Sequence, residues 1–240
     1  SRRPAKSWSV PDVDPPEPTS LGNVPWLEPF PDERYEPAPL GPGARIEQSE
    51  SISLAFVTAL QLLPPRQVAV LILRDVLGFR AAEVAEMLDT TVESVNSALR
   101  RARTGLQHRR ADPPSGASQE PATVNRFVDA WEAADLQALV SLLTDDVFIS
   151  MPPMPFEYQG RDLVLRFCAG LFGAGRRFRL VPTRANGQPA FGAYLSTPED
   201  PSHGVGLYVL SLSGGRISAM TRFESSVLPW FGLPCSLPTG

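Results

Sequence analysis

The chain is poor in cysteine. Cys168 and Cys235 are the only two among 240 residues. Two cysteines cannot build a disulfide framework, and their spacing suits no metal site. A reducing cytosol is therefore the default compartment, with no cofactor or metal expected. Long apolar runs are missing as well: none approaches the roughly 18 residues that span a bilayer. A secretory leader is not visible, because Ser1 to Lys6 is basic but Trp8 to Pro18 is rich in Pro and Asp rather than apolar. There is no initiator Met, which leads us to expect a fragment or a processed form. A net charge of −4 argues against a generic polyanion binder.

Proline is abundant, with 26 residues, and it is unevenly placed. Residues 1–44 are rich in Pro and acid and poor in contiguous apolar positions. Such a segment buries too little surface to offset its ordering entropy, so it reads as an extended linker. Within it Val24-Pro25-Trp26-Leu27-Glu28-Pro29-Phe30-Pro31 sets large side chains between prolines. That is either a stiff strip lying in a groove, through Trp26, Leu27 and Phe30, or a loop with incidental aromatics.

Residues 45–110 read as helical. Ile52, Ala55, Phe56, Ala59, Leu60 and Leu63 follow the helical period. Pro64-Pro65 breaks the run, and Pro65 suits the first turn of the next helix. Val68, Leu71, Ile72 and Val76 continue the apolar face, and Gly78 is a stop signal. Ala82, Val84, Ala85 and Leu88 mark a short helix. Thr90 or Thr91 then caps a final one, with Val92, Val95, Leu99, Ala102 and Leu106 as its buried stripe. From Arg100 to Arg110 there are five arginines and no acid, so the positive field is local.

Short amphipathic helices, tight turns and a terminal arginine cluster form the pattern of a helix-turn-helix. Glu93, Ser94, Asn96 and Ser97 lie in the half that meets base edges. Asn can bond adenine, Glu can accept from cytosine, and Ser is permissive. Arg100, Arg101 and Arg103 are placed for phosphate, as is Arg80 at the start of the preceding helix, with Thr91 at the cap. The bland reading is a small helical bundle with a solvated charged face.

Residues 111–121 are a second linker of Pro, Ser, Gly and Gln, and a different domain follows over 122–240. Helices are expected at Thr123 to Ala134, Leu136 to Leu143 and Gly160 to Phe172. Strands are expected at Val147 to Ser150, Arg177 to Arg184, Ala190 to Ser196, Gly204 to Leu212 and Arg216 to Glu224. Asn186-Gly187, Asp200-Pro201-Ser202 and Ser213-Gly214-Gly215 separate the last four. Helices first and a curved antiparallel sheet afterwards is an α+β, cone-like order. Such a cone usually encloses a cavity. Trp131, Asp146, Met151, Tyr158, Phe167, His203, Tyr208 and Glu224 are its candidate lining. Asp146 with Tyr158, or Glu224 with His203, has the groups for acid–base catalysis. The spacing signature for this is weak: Asp145-Asp146 reads as readily as a turn or strand cap, His203 by default falls in an exposed loop, and Met and aromatic positions are more often core. No catalytic residue is therefore assigned.

The stretch LPPRQVAVLILRDVLGFRAAEVAEMLDTTVESVNSALRRAR resembles region 4 of bacterial extracytoplasmic-function (ECF) sigma factors. Its NSALRRAR ending resembles the sigma-G/sigma-J type, which carries a SnoaL-like C-terminal extension. WLEPFPD resembles the Trp-Leu-Pro motif between the two sigma regions there. The segment around MPPMPFEYQGRD resembles the SnoaL-like domain itself. The resemblance implies binding to the promoter −35 element and to the RNA polymerase β-flap, and regulation in cis by the extension. It also implies a cytoplasmic protein. Nothing here resembles region 2, so the chain is expected to be a shortened form that initiates transcription only together with that domain. Trp230 and Phe231, like the linker aromatics, suit plugging grooves. Two other readings stay open: a SnoaL-like enzyme or small-molecule binder with an accessory helix-turn-helix, and a ligand-controlled repressor. The repressor would need a dimer, and no clean heptads are present.

Overall fold

The computed structural model describes residues 13, 15–21, 27–34, 54, 57, 60, 61, 63–107, 120–196 and 202–238. The chain divides into two compact units, Glu50–Arg110 and a second made of Ser1–Ser49 with Ala111–Gly240.

The helical unit contains α1 (Pro65–Leu71), α2 (Ala81–Met87) and α3 (Val92–Gln107). Pro65 occupies the first turn of α1, where its missing N–H costs nothing. Beyond Leu71 the helix widens into a π turn over Ile72–Val76, closed by Leu77 N–H donating to the Ile72 carbonyl at 2.9 Å. Gly78, at φ +74°, then takes a left-handed conformation that a side chain would resist. The Arg80 N–H donates to Glu83 Oε2 at 2.6 Å, half of a capping box for α2. Thr91 caps α3 by accepting from the Ser94 N–H at 3.2 Å. Val70, Leu71, Val84, Ala85, Val95, Ala98, Leu99 and Ala102 form the buried cluster.

Three expected core positions are elsewhere. Ile72 is 40% and Val76 73% exposed. Ile72 lies roughly 200° from Val70 by ordinary helical phase, outside the stripe that Val70 and Leu71 continue, and the wider π turn carries Val76 out of it as well. Val92 is also exposed, and Ala98, on the other edge of the stripe, is buried. Leu54 is buried and Leu60 packs on the cluster. Ile52, Ala55, Phe56 and Ala59 lie outside the described residues, as does the side chain of Leu106.

The second unit runs β1 (Ser20–Leu21), α4 (Glu120–Glu132), α5 (Leu136–Leu142), β2 (Leu143–Met151), β3 (Met154–Gln159), α6 (Arg161–Phe172), β4 (Arg177–Ala185), β5 (Gln188–Ser196), β6 (Ser202–Ser213), β7 (Arg216–Phe223) and β8 (Ser236–Leu237). Asp135 caps α5, accepting from the N–H groups of Gln137 and Ala138 at 3.0 Å each. The sheet order is β1-β3-β2-β7-β6-β5-β4, with β8 on β6. It is mostly antiparallel, but β2 and β7 are parallel, with Phe148 beside Ala219. The expected antiparallel sheet is thus present with one parallel pairing, between two strands far apart in the chain. Asn186 (φ +55°) and Gly187 (φ +71°) make the tight β4–β5 turn, both in the left-handed region that a two-residue hairpin requires.

Trp131, Phe127, Phe167, Phe172, Tyr158, Tyr208 and Met151 fill the space between the helices and the sheet. A glycine-floored patch of the sheet meets the C-terminal tail. A Cβ at Gly192 would stand 2.8 Å from Leu233 Cδ1, and one at Gly204 2.5 Å from Leu228 Cδ1. Residues Ser225–Phe231 form a 3₁₀ helix that brings Leu228 there.

Candidate nucleic-acid interface

Helix α3 presents its polar residues by phase. At roughly 100° per residue, Glu93, Asn96, Ser97 and Arg100 share one stripe opposite Val95, Ala98, Leu99 and Ala102. Glu93, Asn96, Arg100 and Arg101 are exposed, and Ser94 and Ser97 half-buried. Arg80 is exposed at the start of α2. Thr91 is exposed too, but its hydroxyl is committed to the cap. An acceptor, an amide, a hydroxyl and a guanidinium thus occur along one helical face, the inventory that reads base edges and a backbone.

Arg103 is placed differently. It holds Asp75 through two bonds, Nε to Oδ2 at 3.0 Å and NH2 to Oδ1 at 2.7 Å. Hydrogen bonding to Asp75, and then its charge, raises the guanidinium pKa further above its ordinary value. Sequence reasoning did not find Asp75. It lies 28 residues away, and no local spacing signals such a partner.

The second unit holds the linker. Phe30 N–H donates to Asn186 Oδ1 at 2.8 Å, and the Asn186 N–H returns a bond to the Phe30 carbonyl at 2.9 Å. Pro31 bridges to Ala185. Asp32 accepts from the Gly187 N–H at 2.8 Å and from Arg184 Nε at 3.3 Å, while Arg184 NH1 donates to Glu120 at 2.9 Å. Leu27, Pro29 and Pro31 are buried, whereas the Phe30 ring is 45% exposed and attaches through its backbone. Trp26 lies outside the described residues. Further upstream, Ser20 and Leu21 pair with Glu157 and Phe156, and Val13 joins the core. Composition reads as an extended linker and leaves open whether its Val24 to Pro31 strip docks in a groove; the backbone bonds to a turn tip hold the described part of that strip.

The candidate pocket lining separates into two groups. Trp131, Met151, Tyr158, Phe167 and Tyr208 are packed in the core, with Trp131 centred 5.2 Å from both Phe172 and Tyr208, and Tyr158 5.0 Å from Phe167. Asp146, His203 and Glu224 are exposed. The neighbouring Asp145 pairs with Arg161. Of the proposed catalytic pairs, Tyr158 is buried while Asp146 is exposed, and His203 and Glu224 are both exposed, Glu224 beyond the final Leu207–Phe223 pairing of β6 and β7. Among the described residues, the buried indole N–H of Trp131 has no hydrogen-bond partner.

Burial pushes Tyr158 from 10.0 up to about 12 and Cys168 from 9.0 up to about 12. Burial also raises Tyr208, while the Arg222 guanidinium pulls it down. In the unfolded chain these groups lose protons first. Stability is therefore full below pH 9 and declines as pH rises toward about 12. The melting temperature of this unit, followed by circular dichroism, is expected to fall across that window. Cys168→Ala should move the onset from near 9 toward 10, where tyrosine begins to titrate. An onset that does not move would contradict the assignment to the thiol.

Among the described residues, no cluster of His, Cys, Asp and Glu could hold a metal ion, and no helix is long and apolar enough to cross a membrane.

Two family descriptions match the chain: "Sigma-70, region 4" over residues 53–106 and "SnoaL-like domain" over residues 124–220. The chain is 39% identical over 225 residues to the ECF RNA polymerase sigma factor SigG of Mycobacterium tuberculosis (strain CDC 1551 / Oshkosh), covering 89% of this chain and 59% of SigG. It is 32% identical over 139 residues to the ECF sigma factor SigJ of Mycobacterium tuberculosis (strain H37Rv), covering 54% of this chain and 44% of SigJ. The crystal structure of Mycobacterium tuberculosis SigJ superposes with a TM-score of 0.57 at 25% identity, covering 85% of this chain and 73% of that one. The chain thus spans less than two thirds of the length of these curated relatives.

Proposed function

We propose that this chain, which belongs to the ECF sigma factors related to SigG and SigJ, binds the promoter −35 element through α2 and α3 and docks on the polymerase β-flap. We further infer that its SnoaL-like domain restrains sigma activity in cis. The DNA reading is carried by the single polar stripe Glu93-Asn96-Ser97-Arg100 opposite a buried apolar one. Flap docking is supported by Ile72, Val76 and Leu77, apolar yet 40%, 73% and 58% exposed. Transcription initiation would be directed together with region 2.

The cis restraint has a physical basis in length. A segment from Leu27 to Arg34 held on a hairpin removes up to roughly 28 Å of extended chain from the tether before region 4. The Leu27→Ala, Asp32→Ala double variant is expected to free that segment. Proteolysis of the linker should speed up, and capture of polymerase core and of its isolated β-flap should strengthen. Faster cleavage with unchanged capture would retain the docking and discard the restraint. No capture by either form would sink the polymerase reading.

A ligand-binding cone is the second reading, and one observation favours it: the unpartnered Trp131 N–H in the interior. It would be satisfied by a small molecule bearing a hydrogen-bond acceptor.

A further inference from the structure

The arginines of α3 differ in what they already hold. Among the described residues Arg100 and Arg101 have no ion-pair partner, while Arg103 is joined to Asp75 by two near-parallel bonds of 3.0 and 2.7 Å. This two-pronged geometry uses the planar fork of arginine, which lysine lacks. A guanidinium neutralised by a carboxylate adds little to the field that attracts a phosphate backbone. Around the helix Arg103 lies about 40° from the buried Leu99 and about 20° from Asn96, at the edge of the polar stripe, so its ion pair and not its phase sets it apart.

Asp75 belongs to the π turn that follows α1. The same α1 and π-turn segment sends two more side chains to neighbouring turns. Arg66 donates to Thr90 Oγ1, just before α3, and Arg74 donates to the Phe79 carbonyl, just before α2. The recognition helix is thus tied near its start through Arg66 and in its second half through Asp75.

We propose that Asp75 and Arg103 are positioning residues that set how α3 is presented to DNA, and that Arg103 is not a phosphate ligand. This rests on the DNA-binding reading above and reassigns one arginine within it.

The test is equilibrium binding of the whole chain to a duplex that the unsubstituted chain itself enriches from a random-sequence pool, measured over a salt series. Asp75→Asn and Arg103→Gln are each expected to weaken binding about fivefold, and the double variant no further, because both break one pair. The slope of log affinity against log salt should stay unchanged in both. Arg100→Gln should lower that slope by roughly 0.9, the contribution of one phosphate contact. Arg103→Lys, which keeps the charge but loses the fork, should bind no better than Arg103→Gln. The proposal is overturned if Asp75→Asn binds as tightly as the parent, or if Arg103→Gln loses the same roughly 0.9 of slope as Arg100→Gln. If the parent enriches no duplex, the DNA reading fails by itself. The positioning role is then decided by amide exchange in α3: faster exchange in both variants upholds it, and unchanged exchange overturns it.

Discussion

Trp131→Ala is expected to destabilise the SnoaL-like domain by about 3–5 kcal/mol, the range for emptying a buried large aromatic site. The indole is 1% exposed and touches rings on several elements: Phe127 on its own helix, Phe172 on α6, Phe178 on β4 and Tyr208 on β6. No single neighbour can collapse into that space, which favours the upper part of the range. One term opposes it. The Trp131 N–H is buried without a partner, and deleting it removes a desolvation cost of about 1–3 kcal/mol. Trp131→Phe separates the two. It keeps most of the packing and discards the orphan donor, so it should lie within about 1 kcal/mol of the parent. Urea unfolding followed by circular dichroism measures both. If Trp131→Phe were as damaging as Trp131→Ala, the N–H would have a partner in solution, and the ligand reading would gain accordingly.

Val95→Asp is expected to unfold the helical unit and abolish DNA binding. Val95 is fully buried on α3, between residues of the other helices. A carboxylate there meets no charged or donor group of the cluster, so its burial costs several kcal/mol or forces the helix out. The unit spans only Glu50–Arg110, and a domain of that size has about 3–9 kcal/mol to lose. Loss of helical ellipticity together with loss of duplex binding is the expected result. Duplex affinity within twofold of the parent would mean that the apolar cluster does not hold the recognition helix.

What could be read from residues alone follows from what acts locally. Pro65, Gly78 and Thr91 act through their own backbones and immediate neighbours, and all three sit at helix boundaries as their chemistry requires. Asn186-Gly187 reads as a turn for the same reason. Two features of the fold resisted. The π turn has no compositional mark, so the periodic reading carried Val76 into the core. Strand β3 contains Pro155 and shows no clean alternation. It is stabilised by pairing with β2 and with the distant Ser20 and Leu21. Of the site, the α3 stripe was legible because phase alone decides which residues face outward. The Asp75–Arg103 pair and the hold of Asn186 and Asp32 on the linker are products of tertiary approach. The candidate lining resisted for a related reason. Aromatic and carboxylate residues were each plausible wall material, but only packing distinguishes a lining from a filling.

The widened turn at Ile72–Val76 carries a consequence for how the helical unit can change. One added residue of helical phase aims Asp75 toward α3 and, next to it, turns Val76 outward. The surface proposed for polymerase and the tie that orients the DNA helix are therefore locked to the same rotation. Deleting one residue there would restore a regular helix and swing everything beyond it by roughly 100°. Neither face can be retuned by such a shift without the other, so adjustment of this unit is confined to substitutions that leave the length of the turn intact.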